Sequence, residues 1–374
     1  MTTHTNIKRV GLLATGSELV GGEILNTNGQ QIAQSLQLLG IDIGEHVVVD
    51  DSLDNLKAGL EFLLKRHDGV ITIGGLGPTS DDCTRDIVAA ATQQPLIFNE
   101  ASWQRIVDRL AKRNIPIPEI NKQQAFFPKD ATIFPNVNGT ADGCAVQHRQ
   151  QWIFMLPGPP RECLPLFHNF VVPLLEQQQF TSNHRLYRWR LMGVSESAIA
   201  ETLEIFGKPY QLQFGYRAHY PFVDIKLHLD ESERSEAIKS GVYEIVSPYL
   251  VTTENSNLST QLQHALGNLK HPIALYDNAT KGAIAVALMT PQNHHALNVV
   301  YQPEPLPSDY AVSVEGLEAF WHLQPGQHQT EIRVTLNHAG KTHHAQQIIF
   351  LRGQETIQYA IEFVSWQILK HWIR

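Results

Sequence analysis

Hydrophobic positions in the first third of the chain switch between two spacings. Val10 to Thr15, Val47 to Val49 and Gly69 to Ile73 are short, almost wholly apolar runs of strand length. Between them the spacing becomes helical. Asn28 to Leu39 sets Ile32, Ala33, Leu36 and Leu39 on one face and stops at Gly40, as a C-terminal cap should. Ser52 stands where a helix cap is expected, ahead of a stripe of Leu53, Leu56, Leu60, Leu63 and Leu64. Strands alternating with amphipathic helices predict an α/β fold, a parallel sheet covered on both faces with ligands outside the carboxyl ends of its strands. Three polar clusters fall at those ends: Thr15-Gly16-Ser17-Glu18, Asp50-Asp51, and Gly74 to Asp82. Trp103 to Arg113 reads as a further helix ended by Pro116 and Pro118. Trp152 to Leu156 reads as a strand closed by a rigid Pro157-Gly158-Pro159-Pro160-Arg161-Glu162 turn.

A composition shift over Gln177 to His184 marks a linker. Strand (Arg185 to Met192), helix (Ser195 to Phe206), strand (Val223 to Leu229) and helix (Ser232 to Val246) follow. Val223, Ile225, Leu227 and Leu229 alternate with Asp224, Lys226 and His228, so one face is buried and one is wet. This predicts a small α+β module. The polar stretch Thr252 to Leu258 is a second linker. Beyond it lie a hairpin, Glu331 to Leu336 and Gln346 to Leu351 around Asn337-His338-Ala339-Gly340, and a closing helix with Ile357, Ile361, Val364 and Ile368 on one side. His343 and His344 are adjacent on the second strand and so point to opposite faces, which favours a solvated hairpin over a metal pair. At 374 residues and roughly 150 residues per domain, two or three domains are expected, with boundaries at 1–177, 184–252 and 258–374.

The segment Ile71 to Thr84 carries the most chemistry. A buried strand runs into Gly74-Gly75-Leu76-Gly77 and then toward a helix that opens on Asp81 and Asp82. Glycines let backbone N–H groups approach a phosphate, and a helix N-terminus adds partial positive charge. Two aspartates there would repel the phosphate unless a cation lay between them, which suggests a metal-assisted reaction on a phosphorylated substrate. The competing explanation is local: aspartate is a favoured cap, and Gly-Gly before a helix can be a plain turn. The coincidence of three polar clusters at three strand ends favours the site. The spacing is neither the dinucleotide fingerprint nor a P-loop.

The remaining composition narrows the setting. An apolar fraction of 43% with 18% charged residues is ordinary for a globular protein. A net charge of -8 argues against a general nucleic-acid or anionic-membrane binder. Cys83, Cys144 and Cys163 form no paired framework, which suits a reducing compartment. Val10 to Ala14 is too short for a signal-peptide core, and nowhere do about 18 apolar residues run together. A cytoplasmic location is expected.

Six motifs in order then resemble the CinA-like, competence/damage-inducible protein A family. They are Thr15 to Leu19, Ile24 to Asn28, Gly74 to Asp82, Asn121 with Gln124-Ala125, Asn138 to Ala141, and Leu156 to Glu162. The resemblance is strong over about residues 7–255 and weak beyond. It implies a molybdopterin-binding-type parallel-sheet domain described as an ADP-ribose pyrophosphatase needing a divalent cation, then a KH-like α+β module, then a nicotinamide-nucleotide amidase domain. The amidase nucleophile motif is Glu-Ser-Cys-Thr-Gly-Gly. Here the corresponding stretch is Asp277-Asn278-Ala279-Thr280-Lys281-Gly282. Asn278 has no hydroxyl to deprotonate, and the later Ala-Gly-Pro segment is replaced by Glu315 to Trp321, so the amidase activity is expected to be lost and that α/β domain to be degenerate. No Gly-x-x-Gly loop of an RNA-clamping KH module lies between Arg185 and Leu250, which points to a spacer or dimerisation role.

On this resemblance the expected reaction is hydrolysis of ADP-ribose to AMP and ribose 5-phosphate. Asp51, Asp81 and Asp82 would be catalytic, with Asp81 and Asp82 holding the divalent cation and potassium as a second candidate ion. Gly74, Gly75, Leu76 and Gly77, with Thr79, would bind the pyrophosphate. Thr15, Gly16, Ser17, Glu18, Asn26 and Asn28 would bind ribose or base edges, with helix capping the alternative for Asn28. Gly139 and Thr140 would close the far side with Gly158, Pro159 and Glu162. The expected partners are a small-molecule nucleotide and a second copy of the chain, with no nucleic acid and no membrane. The alternatives are a molybdopterin nucleotidyl transferase on the same fold, since fold does not decide function, and a non-catalytic nucleotide sensor.

Overall fold

The first strand, β1 (Arg9–Thr15), is buried along nearly its whole length because its side chains feed two different cores. Val10, Leu12 and Ala14 point into one and Leu13 into the other, the period-2 consequence of a strand covered on both faces. The computed structural model describes residues 8–182, 184–269, 271–301, 310–322 and 326–373. The chain divides into two units, Met1–Leu186 and Tyr187–Arg374.

In the first unit β1 is followed by α1 (Ser17–Val20), α2 (Thr27–Leu38), β2 (Asp42–Val49), α3 (Leu53–Leu64), β3 (Gly69–Ile73) and α4 (Thr84–Thr92). A ribbon of β4 (Leu96–Phe98) and β5 (Phe126–Pro128) brackets α5 (Glu100–Ala111). Then come β6 (Thr132–Phe134), β7 (Gly143–His148), β8 (Gln151–Leu156), α6 (Pro160–Leu166) and α7 (Val172–Gln177). The six-stranded sheet runs β2-β1-β3-β8-β7-β6. Ile32 and Leu36 of α2 pack with Leu166 and Leu175 on one face. Leu56, Leu60 and Leu63 of α3 pack with Val88 of α4 on the other.

The sheet is mixed rather than all parallel. β2, β1, β3 and β8 run parallel, but β7 and β6 are antiparallel. The link from β7 to β8 is only Arg149-Gln150, with Arg149 left-handed at φ 57°, and a connection that short can only reverse the chain. β2 also begins at Asp42, earlier than its apolar pattern shows. It is an edge strand, so Asp42, Gly44 and Glu45 need not be apolar.

The second unit holds all but the first two residues of β9 (Arg185–Met192), then α8 (Glu196–Gly207), β10 (Gly215–His219), β11 (Phe222–Leu229), α9 (Glu233–Val246) and β12 (Leu250–Thr252), in the sheet order β10-β11-β9-β12. β10 escaped the sequence reading because its residues are largely solvated and show no apolar alternation. α10 (Leu258–Leu266), β13 (Ile273–Asp277), α11 (Ala283–Leu288), β14 (Leu297–Val300), β15 (Tyr310–Gly316), α12 (Glu318–Trp321), β16 (Gln329–His338), β17 (Lys341–Phe350) and α13 (Gln354–Ile368) follow. Their sheet runs β14-β13-β15-β16-β17. The hairpin turn is two residues, Ala339 and Gly340, both left-handed, so Asn337 and His338 belong to β16. His343 stacks on His371 at 4.3 Å while His344 meets Thr335, the opposite-face placement the strand geometry requires. No helix of the described residues is long and apolar enough to cross a membrane.

Candidate functional site

The carboxyl ends of β1, β3 and β8 open on a cleft of about 370 Å³. Thr15, Gly16, Glu18, Asp51, Gly74, Gly75, Leu76, Gly77, Asp81, Asp82, Thr140, Gly158, Pro159 and Glu162 all line it. Pro78, Gln124, Ala141 and Pro157 join them. A larger cavity of about 1070 Å³ lies in the second unit beyond β13, walled mainly by apolar side chains such as Val286, Met289, Val299 and Val300. The smaller cleft is the stronger candidate because polar donors and acceptors converge there.

The glycine turn has an unusual backbone. Gly74 and Gly75 are both left-handed, at φ 103° and 66°. A side chain on Gly74 would meet the Thr15 carbonyl oxygen at 2.7 Å, and one on Gly75 the Thr84 hydroxyl at 2.2 Å. The Gly74 N–H donates to the Leu156 carbonyl at 2.9 Å, and the Thr84 hydroxyl donates to the Gly74 carbonyl at 2.9 Å. The next three amides, of Gly75, Leu76 and Gly77, donate to no acceptor among the described residues. Backbone donors this close to a protein interior are ordinarily paired, so a run of three marks a place prepared for an acceptor from outside.

The carboxylates surround this turn and are held by short contacts. Asp51 accepts the Thr15 hydroxyl at 2.9 Å on Oδ1, and the Ser17 N–H and hydroxyl at 2.8 and 3.0 Å on Oδ2. Asp82 accepts the Thr79 N–H at 3.0 Å and the Thr79 hydroxyl at 2.5 Å, both on Oδ2, which leaves Oδ1 without a donor. The Thr79 hydroxyl and Asp81's own backbone N–H hold the Asp81 carboxyl below its ordinary value. Asp81 and Asp82 lie in the turn before α4 and do not open the helix: Cys83 is the cap residue and Asp86 the first-turn acid. The physical reason is the Thr79–Asp82 contact, which closes the turn one residue early.

Ser52 likewise occupies the cap position of α3 without capping it. Its hydroxyl donates to Asp50 Oδ1 at 2.6 Å, a charge-assisted bond. With Asn55 adding a further donor, these bonds hold the Asp50 pKa below its ordinary value.

The other predicted residues stand one layer back. Ser17 and Thr79 reach the cleft only through Asp51 and Asp82. Asn26 caps α2 by accepting the Gly29 N–H at 2.9 Å, so capping falls to it and not to Asn28. Asn28 is buried and donates to the Gly158 carbonyl at 2.6 Å. The Gly139 N–H donates to Asn136 Oδ1, and the same Asn136 donates to Glu162 Oε2 at 2.8 Å. Sequence reasoning missed Gln124, Asn136 and Arg85. Gln124 stood within a quoted motif, whereas Arg85 carried no signal beyond following Thr84.

Among the described residues no group of three or more His, Cys, Asp or Glu side chains is placed to hold a metal by itself. Two adjacent carboxylates, one with an oxygen free of donors, still fit a hard cation of the magnesium type, which takes one or two protein carboxylates and completes its shell with substrate phosphate and water. The three cysteines are free. Burial pushes the Cys144 and Cys163 thiols up to about 12.

Residues 11–177 match a family model described as a probable molybdopterin binding domain. A putative competence-damage inducible protein of Clostridium acetobutylicum is 40% identical over 197 residues, 52% of this chain and 47% of that protein. One of Caldicellulosiruptor saccharolyticus is 30% identical over 293 residues, 73% of this chain and 68% of that protein. The chain belongs to the competence-damage inducible protein (CinA) family. It spans about half the length of the first of these CinA relatives. Among solved structures, the CinA protein of unknown function from Thermoplasma acidophilum is 28% identical with a TM-score of 0.41, covering 46% of this chain and 98% of that one. The molybdopterin biosynthesis enzyme MoaB of a Thermus species is 19% identical with a TM-score of 0.31, covering 46% and 96%.

Proposed function

We propose that the first unit hydrolyses the pyrophosphate of ADP-ribose to AMP and ribose 5-phosphate with a divalent cation. The observation that carries this reading is the run of three unpaired amides, Gly75 to Gly77, lining the same cleft as Asp51, Asp81 and Asp82. Amides of this kind bind phosphoryl oxygens and follow their charge into the transition state. Asp51, fixed by Thr15 and Ser17, orients the attacking water and accepts its proton. Water oxygen bonds to one phosphorus, the bond from that phosphorus to the bridging oxygen breaks, and the bridging oxygen leaves with the other phosphate. Asp81 and Asp82 would hold the cation, which supplies Lewis-acid polarisation of the phosphate and a more acidic water. Glu18, which lines the same cleft, would accept a ribose hydroxyl. Incubation of the purified chain with ADP-ribose across a series of divalent metals should yield AMP and ribose 5-phosphate in equal amounts. Tight binding without turnover in every metal would instead make the protein a sensor.

A second reading, adenylyl transfer to molybdopterin, is favoured by the family model that residues 11–177 match. ATP and molybdopterin together, followed for an adenylylated product, separate the two.

We propose also that the second unit has lost amidase chemistry. Asn278 accepts the Lys281 ammonium at 2.9 Å and offers no nucleophile. The one hydroxyl of that loop, on Thr280, is buried and already donates to Asp277. Nicotinamide mononucleotide should release no ammonia above the uncatalysed background. Release at an enzymatic rate would overturn this.

A further inference from the structure

Arg85 lies directly under the glycine turn and is 3% exposed. Its Nη1 donates to the Leu76 carbonyl and its Nη2 to the Gly77 carbonyl, both at 2.9 Å. One planar guanidinium therefore takes two successive carbonyls, a geometry its rigid fork suits and an ammonium does not. Gln124 adds a second donor to the Leu76 carbonyl at 3.3 Å. In a trans peptide the N–H points opposite to the C=O. Drawing the Leu76 carbonyl down onto Arg85 therefore turns the Gly77 N–H up, toward the cleft that Gly77 lines.

The charge of Arg85 is the second, independent observation. Among the described residues it forms no ion pair, and all of its hydrogen bonds go to neutral carbonyls. Buried charges are ordinarily paired, because an unpaired one loses its hydration without compensation. The Asp82 and Asp86 carboxylates attract Arg85 without contacting it, and an anion bound to the three free amides would add to that counter-charge.

We propose that Arg85 is a positioning residue for the phosphoryl group: it fixes the Leu76–Gly77 peptide so that the Gly77 N–H faces the cleft, and it supplies buried positive charge that attracts a bound diphosphate. This deepens the pyrophosphatase reading and rests on it. Arg85 does not touch the substrate and moves no proton. Its effect reaches the phosphate through the Gly77 N–H of the peptide it holds and through its field.

Calorimetric titration of the full chain with inorganic pyrophosphate tests this, with thermal melting recorded alongside. Arg85→Met removes both the fork and the charge, and the affinity should fall by roughly 10- to 100-fold, the scale of losing charge-assisted hydrogen bonds. Arg85→Lys keeps the charge without the fork. It should retain more affinity than Arg85→Met while kcat on ADP-ribose falls more than KM rises. A merely structural role would lower the melting temperature of both variants and leave the pyrophosphate affinity of the folded protein unchanged, which overturns the proposal. If Arg85→Met does not fold, Arg85→Lys decides, and wild-type affinity with wild-type kcat overturns it. Failure of the wild-type chain to bind pyrophosphate would overturn the underlying site reading, a result distinguishable from the others because it needs no variant.

Discussion

Asp82→Asn is expected to lower turnover of ADP-ribose by about 100-fold or more, the scale of removing one main electrostatic contributor from a preorganised site. The substitution is nearly isosteric, and an amide oxygen can still accept the Thr79 N–H that Asp82 Oδ2 accepts now. The turn before α4 should therefore persist, and melting should change little. What is lost is the negative charge beside Gly77 and Asp81, and with it the second ligand for a hard cation. A drop in kcat with a nearly unchanged melting curve is the expected signature. Near-normal activity would remove Asp82 from the mechanism.

The largest expected effect on stability lies in the second unit. Asp224 is fully buried on β11 and accepts Arg190 Nε at 2.7 Å and Nη2 at 3.0 Å, and His219 Nε2 lies 3.1 Å from it. Asp224→Ala leaves the Arg190 guanidinium, itself buried, with the Ser256 carbonyl and the Asn257 side chain as its hydrogen-bond partners among the described residues. Breaking a buried pair from one side costs about 3–5 kcal/mol, a large share of a typical domain's stability. Denaturant unfolding of the second unit's transition should show the loss. A change below about 1 kcal/mol would mean that water reaches the pair.

The same pair sets a pH dependence. Burial pushes the Asp224 pKa up, but the hydrogen bonds and charge of Arg190, with His219, outweigh it and hold the pKa below the ordinary value of 3.8. A carboxylate depressed in the folded state contributes stability that is complete above its unfolded pKa and is lost as pH falls through the folded one. The contribution should thus be intact at neutral pH and fade only below about pH 4. In Asp224→Ala that part of the acid-side slope should be missing.

The sequence made the first unit legible where burial was two-sided. β1, β3 and β8 are continuous apolar runs because both faces are covered, and α2 and α3 carry clean stripes. The edge strand β2 and the solvated β10 were harder, since an exposed strand need not repeat any apolar pattern. The antiparallel turn from β7 to β8 depends on a two-residue link that hydrophobic spacing does not reveal. The glycine turn and its acids stood out because three polar clusters fall at three strand ends, although caps and plain turns use the same residues. Their partners did not. Gln124 and Asn136 meet a carbonyl and a carboxylate far along the chain, Arg85 meets carbonyls eight and nine residues back, and one chain without its fold cannot show which backbone oxygen a buried guanidinium will find.

The amides of Gly75, Leu76 and Gly77 should grip a diphosphate beside Asp81 and Asp82. A crystal of the Asp82→Asn protein soaked with ADP-ribose and magnesium tests it most directly. The expected density places phosphoryl oxygens about 3 Å from those three nitrogens, with Asp81 turned toward the same diphosphate. A nucleotide seated elsewhere, with the three amides bonded only to water, would contradict the account.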